Sequence, residues 1–127
     1  MAATLRPVTF LEIHGVWAWV MVLSNAAAGA WALAAHRVEA LRVPQVWWLT
    51  AAAQVSVAVQ ALLGVLVLQV DGREVDQLHV IYGFVSLASV GILYSYRQQL
   101  EQWRFLLYGF GGLFLMGMGI RGMFLTP

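Results

Sequence analysis

The sequence predicts an all-α integral membrane protein, an up-down bundle of four transmembrane helices with both termini outside, and three observations predict it. The 127 residues are 61% hydrophobic and 10% charged, with a mean hydropathy of +0.77, far from the composition of a soluble domain. Four apolar runs stand out, at about 13–35, 45–69, 78–96 and 105–125, each near the roughly 20 residues that cross a hydrocarbon core about 30 Å thick. The charges, Glu12 and Arg121 excepted, lie outside these runs or at their ends. Four spans use most of the chain, so it is read as a single domain over residues 1–127.

Each element has its own justification. The first run follows Arg6 and contains the small-residue stretch Asn25 to Ala30, which has the look of a secretory cleavage site. Its apolar character continues to Ala35, and it is read as a retained helix. Pro44 sits where proline opens a helix, ahead of the second run. Asp71-Gly72 is a turn signal between the second and third runs. Short connections make sequence neighbours antiparallel, which gives the up-down bundle.

Orientation follows from the arginines. Arg37, Arg42, Arg97 and Arg104 fall in the first and third loops, against Arg6, Arg73 and Arg121 on the other side. The first and third loops are therefore expected in the cytoplasm, and both termini outside. Trp17, Trp19, Trp31, Trp47, Trp48 and Trp103 mostly lie near predicted helix ends, where amphipathic rings anchor at the membrane interface.

Composition also excludes chemistry. Without cysteine there are no disulfides, thiolate metal sites, iron–sulfur ligands or cysteine nucleophiles. The seven basic residues are all arginine and six acids nearly balance them, so no basic stripe exists to hold nucleic acid. The expected partners are the lipid bilayer, another copy or a larger membrane complex, and a buried cofactor.

An ionisable side chain inside a membrane is costly unless it faces the bundle interior or binds something. His36 beside Arg37 reads as an interfacial group at the end of the first helix. His14 and His79 are different, because each opens an odd-numbered helix and odd helices run the same way. Both imidazoles are therefore expected at one depth, near the outer surface. Two histidines on facing helices suit haem iron, whose remaining ligands come from the macrocycle, and a bis-histidine iron favours electron transfer. The cofactor expected is haem b. Ala18 and Gly83, one turn beyond each histidine, are small enough for a flat macrocycle to approach, and equally suit plain helix packing. Glu12 and Asp76 are candidate acceptors for the ring N–H not bound to metal. Arg121, near the outward end of the fourth helix, reads either as a cation snorkelling to the headgroups or as a counter-ion to haem propionates.

Two further features are polar or bare. Gln54 and Gln60 sit near the middle of the second run, where amides usually bond between helices, and a quinone contact has no second feature behind it. Gly109, Gly111, Gly112, Gly117, Gly119 and Gly122 leave the fourth helix bare for contact with a helix of the bundle or of a partner chain. Their number suggests more than one neighbour, hence a homo-oligomer or larger assembly.

The run Gln60-Ala-Leu-Leu-Gly-Val-Leu-Val, followed after a brief loop by Leu78-His79, resembles the bacterial haem A synthases, in which a Gln-x-x-Leu-Gly helix precedes a ligand histidine. Leu11-Glu-Ile-His14 is similar to that family's Glu-x-x-His-Arg segment, which carries the other ligand. The resemblance spans residues 11 to 90 with a gap. It implies a haem-holding bundle in a bacterial cytoplasmic membrane, with His14 and His79 as the axial pair. Glu12 stands two residues before the histidine instead of three, Gly15 replaces the arginine, the loop cysteines are missing and the chain is about half as long. The family's haem-methyl oxidation is therefore not among the expectations. The leading expectation is a small cytochrome-like protein of a respiratory membrane assembly, and the alternative is a haem-free accessory or assembly subunit.

Overall fold

The computed structural model describes residues 7–125; Arg6, counted above in the orientation argument, lies outside the described residues. The described residues form four long helices, α1 (Phe10–Arg37), α2 (Gln45–Gln69), α3 (Gln77–Ser95) and α4 (Arg104–Phe124), with short 3-10 turns at Glu39–Leu41 and Glu101–Trp103. All four are long and apolar enough to cross a membrane, α4 together with the 3-10 turn Glu101–Trp103 that leads into it.

The helix starts are set by side chains that satisfy the unpaired N–H groups of a first turn. Thr9 Oγ1 accepts from Glu12 N, and Asp71, arriving from the α2–α3 loop, accepts from Leu11 N at 2.9 Å. The loop that begins at Asp71-Gly72, where Gly72 has φ +66°, is thereby tied to the start of α1. Pro44 opens α2, and Asp76 caps α3 by accepting from Leu78 N. At the far end Arg42 donates from Nε to Ala35 O and from Nη2 to His36 O, covering the last carbonyls of α1 as a basic side chain at a helix C-terminus does.

Packing centres on α1, which contacts α2 on one side and α4 on the other, running antiparallel to both and parallel to α3. The α1 stripe facing these neighbours is buried and mostly small: Ala18, Met21, Val22, Asn25, Ala28, Gly29, Ala32, Ala35. Small residues let backbones touch, and here they do. A Cβ built on Gly29 would lie 2.9 Å from Gly109 O and Leu113 N, and one on Gly112 would lie 2.9 Å from Gly29 Cα. Gly109, Gly111 and Gly119 similarly face Leu33, Leu93 and Val22. The surplus of glycine expected to serve a second chain is thus taken up inside the bundle, because α4 sits between α1 and α3 and must be bare toward both. Gly117, with nothing within 4 Å, is the exception on α4.

Two apolar clusters form the core, Met21 with Val57, Leu93 and Leu115 at mid-height, and Ala32, Ala35, Val46 and Phe105 toward the α1 C-terminus. Helix α3 is the least covered, burying only Ser86 and Leu93. The tryptophans divide between two uses. Trp19, Trp48 and Trp103 are exposed, as an interfacial belt requires. Trp17 donates from Nε1 to Ser56 O at 2.8 Å, linking α1 to α2, Trp31 donates to Leu41 O, and Trp47 packs on Phe105 and Tyr108. A buried indole needs a partner for its N–H, and Trp17 finds one between helices.

Candidate functional site

One end of the bundle gathers the first turns of α1 and α3 with the last turns of α2 and α4, and His14 and His79 meet there. Their ring centroids are 5.8 Å apart with the planes inclined at 68°. The expectation of equal depth on parallel helices is met, although α1 and α3 are diagonal and scarcely touch elsewhere. Imidazoles from two weakly contacting helices point into one space.

Each ring is supported from a different neighbour. His79 Nδ1 lies 2.9 Å from Gly122 O in the last turn of α4. A carbonyl only accepts, so His79 donates from Nδ1 and keeps its Nε2 lone pair. A Cβ built on Gly122 would stand 3.7 Å from His79 Cε1, an ordinary contact, so the ring packs directly against this turn of α4. His14 lies against α2, where a Cβ on Gly64 would come within 3.4 Å of its Cε1 and 3.9 Å of its Nδ1. Gln60, one turn before Gly64, donates from Nε2 to the His14 carbonyl at 2.9 Å. His14 Nδ1 and Gln60 Oε1 are the buried side-chain polar atoms that lack a hydrogen-bond partner among the described residues.

The other residues expected at the site are placed as follows. Ala18 is buried in the core at 9% exposure, whereas Gly83 is exposed with nothing within 4 Å of a Cβ, as is Gly15. The helix surface beside the histidines is therefore open at Gly15 and Gly83, and Ala18 is the one that serves packing. Asp76 Oδ1 is occupied as the α3 cap, and the acceptor for His79 is the Gly122 carbonyl. The Glu12 backbone N–H is held by Thr9. Arg121 is exposed, next to Gly122 in the last turn of α4. His36 lies six turns further along α1, roughly 33 Å away by helix rise, in a polar crevice with Arg42, Gln98, Gln102 and Arg104. Gln54 is half-buried on α2 and makes no interhelical bond among the described residues.

Sequence reasoning missed three contributors: the Gly122 carbonyl, the Gly64 platform and the position of Gln60 beside His14. A carbonyl leaves no trace in residue identity. Gln60 and Gly64 did share one face of α2, but nothing in the sequence aimed that face at His14. Comparison with known proteins adds no guide, since no family model, no curated protein and no solved structure matches this chain.

The donor set narrows the chemistry. Among the described residues no group of three or more His, Cys, Asp or Glu side chains is arranged to hold a metal ion, and the donors that meet at this end of the bundle are the two imidazoles.

Proposed function

We propose that the chain is a small membrane cytochrome-like protein of the bacterial cytoplasmic membrane that holds one haem b between His14 and His79 and passes electrons within a respiratory assembly. The observation that carries the reading is the meeting of the two imidazoles at 5.8 Å from helices otherwise apart. A metal–imidazole bond is about 2 Å long, which sets two rings on opposite sides of one metal roughly 6 Å apart between centroids. The residues present fit the group in three respects. The spacing is near that value, the His79 Nδ1–H is committed to Gly122 O, which leaves Nε2 as the ligating atom, and the flanks at Gly15 and Gly83 are open. Haem bound there would supply a one-electron couple.

The chain's own residues do the remaining work. His14 and His79 would both hold the group, and two imidazole ligands would favour electron transfer over oxygen chemistry. The Gly122 carbonyl would fix one tautomer, and the other ring packs toward α2 at Gly64. Arg121, exposed beside Gly122 in the last turn of α4, would offset negative propionates. The bilayer enters through the same reading: four apolar spans are inserted with Arg37, Arg42, Arg97 and Arg104 toward the cytoplasm, which sets both termini and the histidine end outside.

Histidine variants test the proposal. His14→Ala and His79→Ala should each lose haem or give a high-spin, carbon monoxide-binding centre, while the parent protein binds carbon monoxide poorly. Low-spin spectra unchanged in both variants would place the ligands elsewhere.

A further inference from the structure

Gln60 has an unfinished hydrogen-bond inventory beside a histidine with the same defect. Its amide crosses from α2 to α1, Nε2 donating to the backbone carbonyl of His14 at 2.9 Å, so the side chain is fixed at the residue whose ring it neighbours. The other end of that amide, Oε1, is buried without a partner, and so is His14 Nδ1. A buried polar group left unpaired carries its full desolvation cost. Two such groups on one already bonded pair of residues have a common remedy, since Oε1 can only accept and Nδ1 can donate. A Cβ built on Gly64, one turn further along α2, would lie 3.4 Å from His14 Cε1 and 3.9 Å from His14 Nδ1, so that edge of the imidazole is turned toward the helix that carries Gln60.

We infer that Gln60 is the positioning residue for His14: a small rotation of its amide lets Oε1 accept the His14 Nδ1–H while Nε2 stays on the His14 carbonyl, presenting the Nε2 lone pair of His14 toward the haem. The inference rests on the haem reading above and assigns the orientation and tuning of one ligand. It makes the two histidines alike in tautomer and unlike in support. His79 is held by a backbone carbonyl, which no substitution removes. The acceptor inferred for His14 is a side chain, so the electron density on its ligating nitrogen would be set by the residue at position 60. An acceptor on the distal N–H makes an imidazole a more basic ligand, which favours the ferric state.

Gln60→Met keeps the length and removes both functions of the amide, and Gln60→Glu keeps a carbonyl or carboxylate oxygen in the accepting place. In the haem-loaded protein, Gln60→Met should raise the midpoint potential relative to the parent, and Gln60→Glu should hold or lower it. The same three proteins, full-length and stripped of haem, give a readout independent of the cofactor. Nitrogen-15 resonances of His14 should report a protonated Nδ1 in the parent and in Gln60→Glu, and a mixture of tautomers in Gln60→Met, with His79 unchanged throughout. Equal potentials and equal His14 tautomers in all three would overturn the role of Gln60 and leave the haem proposal standing. Should Gln60→Met fail to fold, the Gln60→Glu shift and the parent tautomer still decide. A protein that never takes up haem, yet shows the Gln60-dependent tautomer, would retain the hydrogen bond and remove its purpose.

Discussion

At the scale of single residues, His14 and His79 meet at one end of the bundle, and the His79 ring is oriented by the Gly122 carbonyl. Their effects should therefore be separable from those of His36. His36→Ala should leave any haem spectrum unchanged, because His36 lies at the opposite end among Arg42, Gln98 and Arg104. A spectrum altered by His36→Ala would put the cofactor at the wrong end. Arg121→Leu should lower the midpoint potential and weaken haem retention, since a nearby cation favours the electron-rich reduced state and balances the propionates. An unchanged potential would assign Arg121 to the headgroups alone. The histidine pair was legible in the sequence because helix parity fixes depth. Its supports were not, because a glycine carbonyl and the direction of one α2 face depend on how helices rotate about their axes.

At the scale of the elements, boundaries followed from apolar run length and from Pro44 and Asp71-Gly72, to which the structure adds Thr9 and Asp76 as helix caps. All four predicted spans fall within a few residues of α1 to α4. What run length could not give was the pairing. In a membrane, small residues mark contact without naming the partner, so the glycines of α4 read equally as an internal or an external face. The structure assigns Gly29 and Gly112 to one α1–α4 crossing. Gly112→Ala should therefore destabilise the protein by about 1–3 kcal/mol, the usual cost of overpacking, whereas Gly117→Ala, with open space around it, should be tolerated. Thermal denaturation in detergent reads both, and equal melting of the two variants would contradict the crossing. Asp71→Ala should cost about 1 kcal/mol through the lost bond to Leu11 N. An unaltered melting temperature would show that water replaces it.

At the scale of the whole molecule, the haem reading joins a fold to an orientation. On the proposed reading the arginine-rich loops face the cytoplasm and the histidine end lies outside, and a chain without cysteine makes this easy to examine. In intact cells, a membrane-impermeant maleimide should label a cysteine replacing Gly72 and leave one replacing Glu39 unlabelled. The reverse pattern would turn the bundle over and move the histidines to the cytoplasmic face. Helix α3, buried only at Ser86 and Leu93, is the least covered element, and on the proposed reading it is the one that meets lipid or a neighbouring subunit, since the α4 glycines other than Gly117 face inside the bundle. The most direct measurement of the central claim is the absorption spectrum and pyridine haem content of the protein purified gently from its native membrane. The account predicts about one haem b per chain, with a sharp Soret band and resolved α and β bands on reduction that carbon monoxide leaves nearly unchanged. Protein with no Soret absorbance and no extractable haem would contradict it, leaving His14 and His79 as paired polar groups in an accessory membrane subunit.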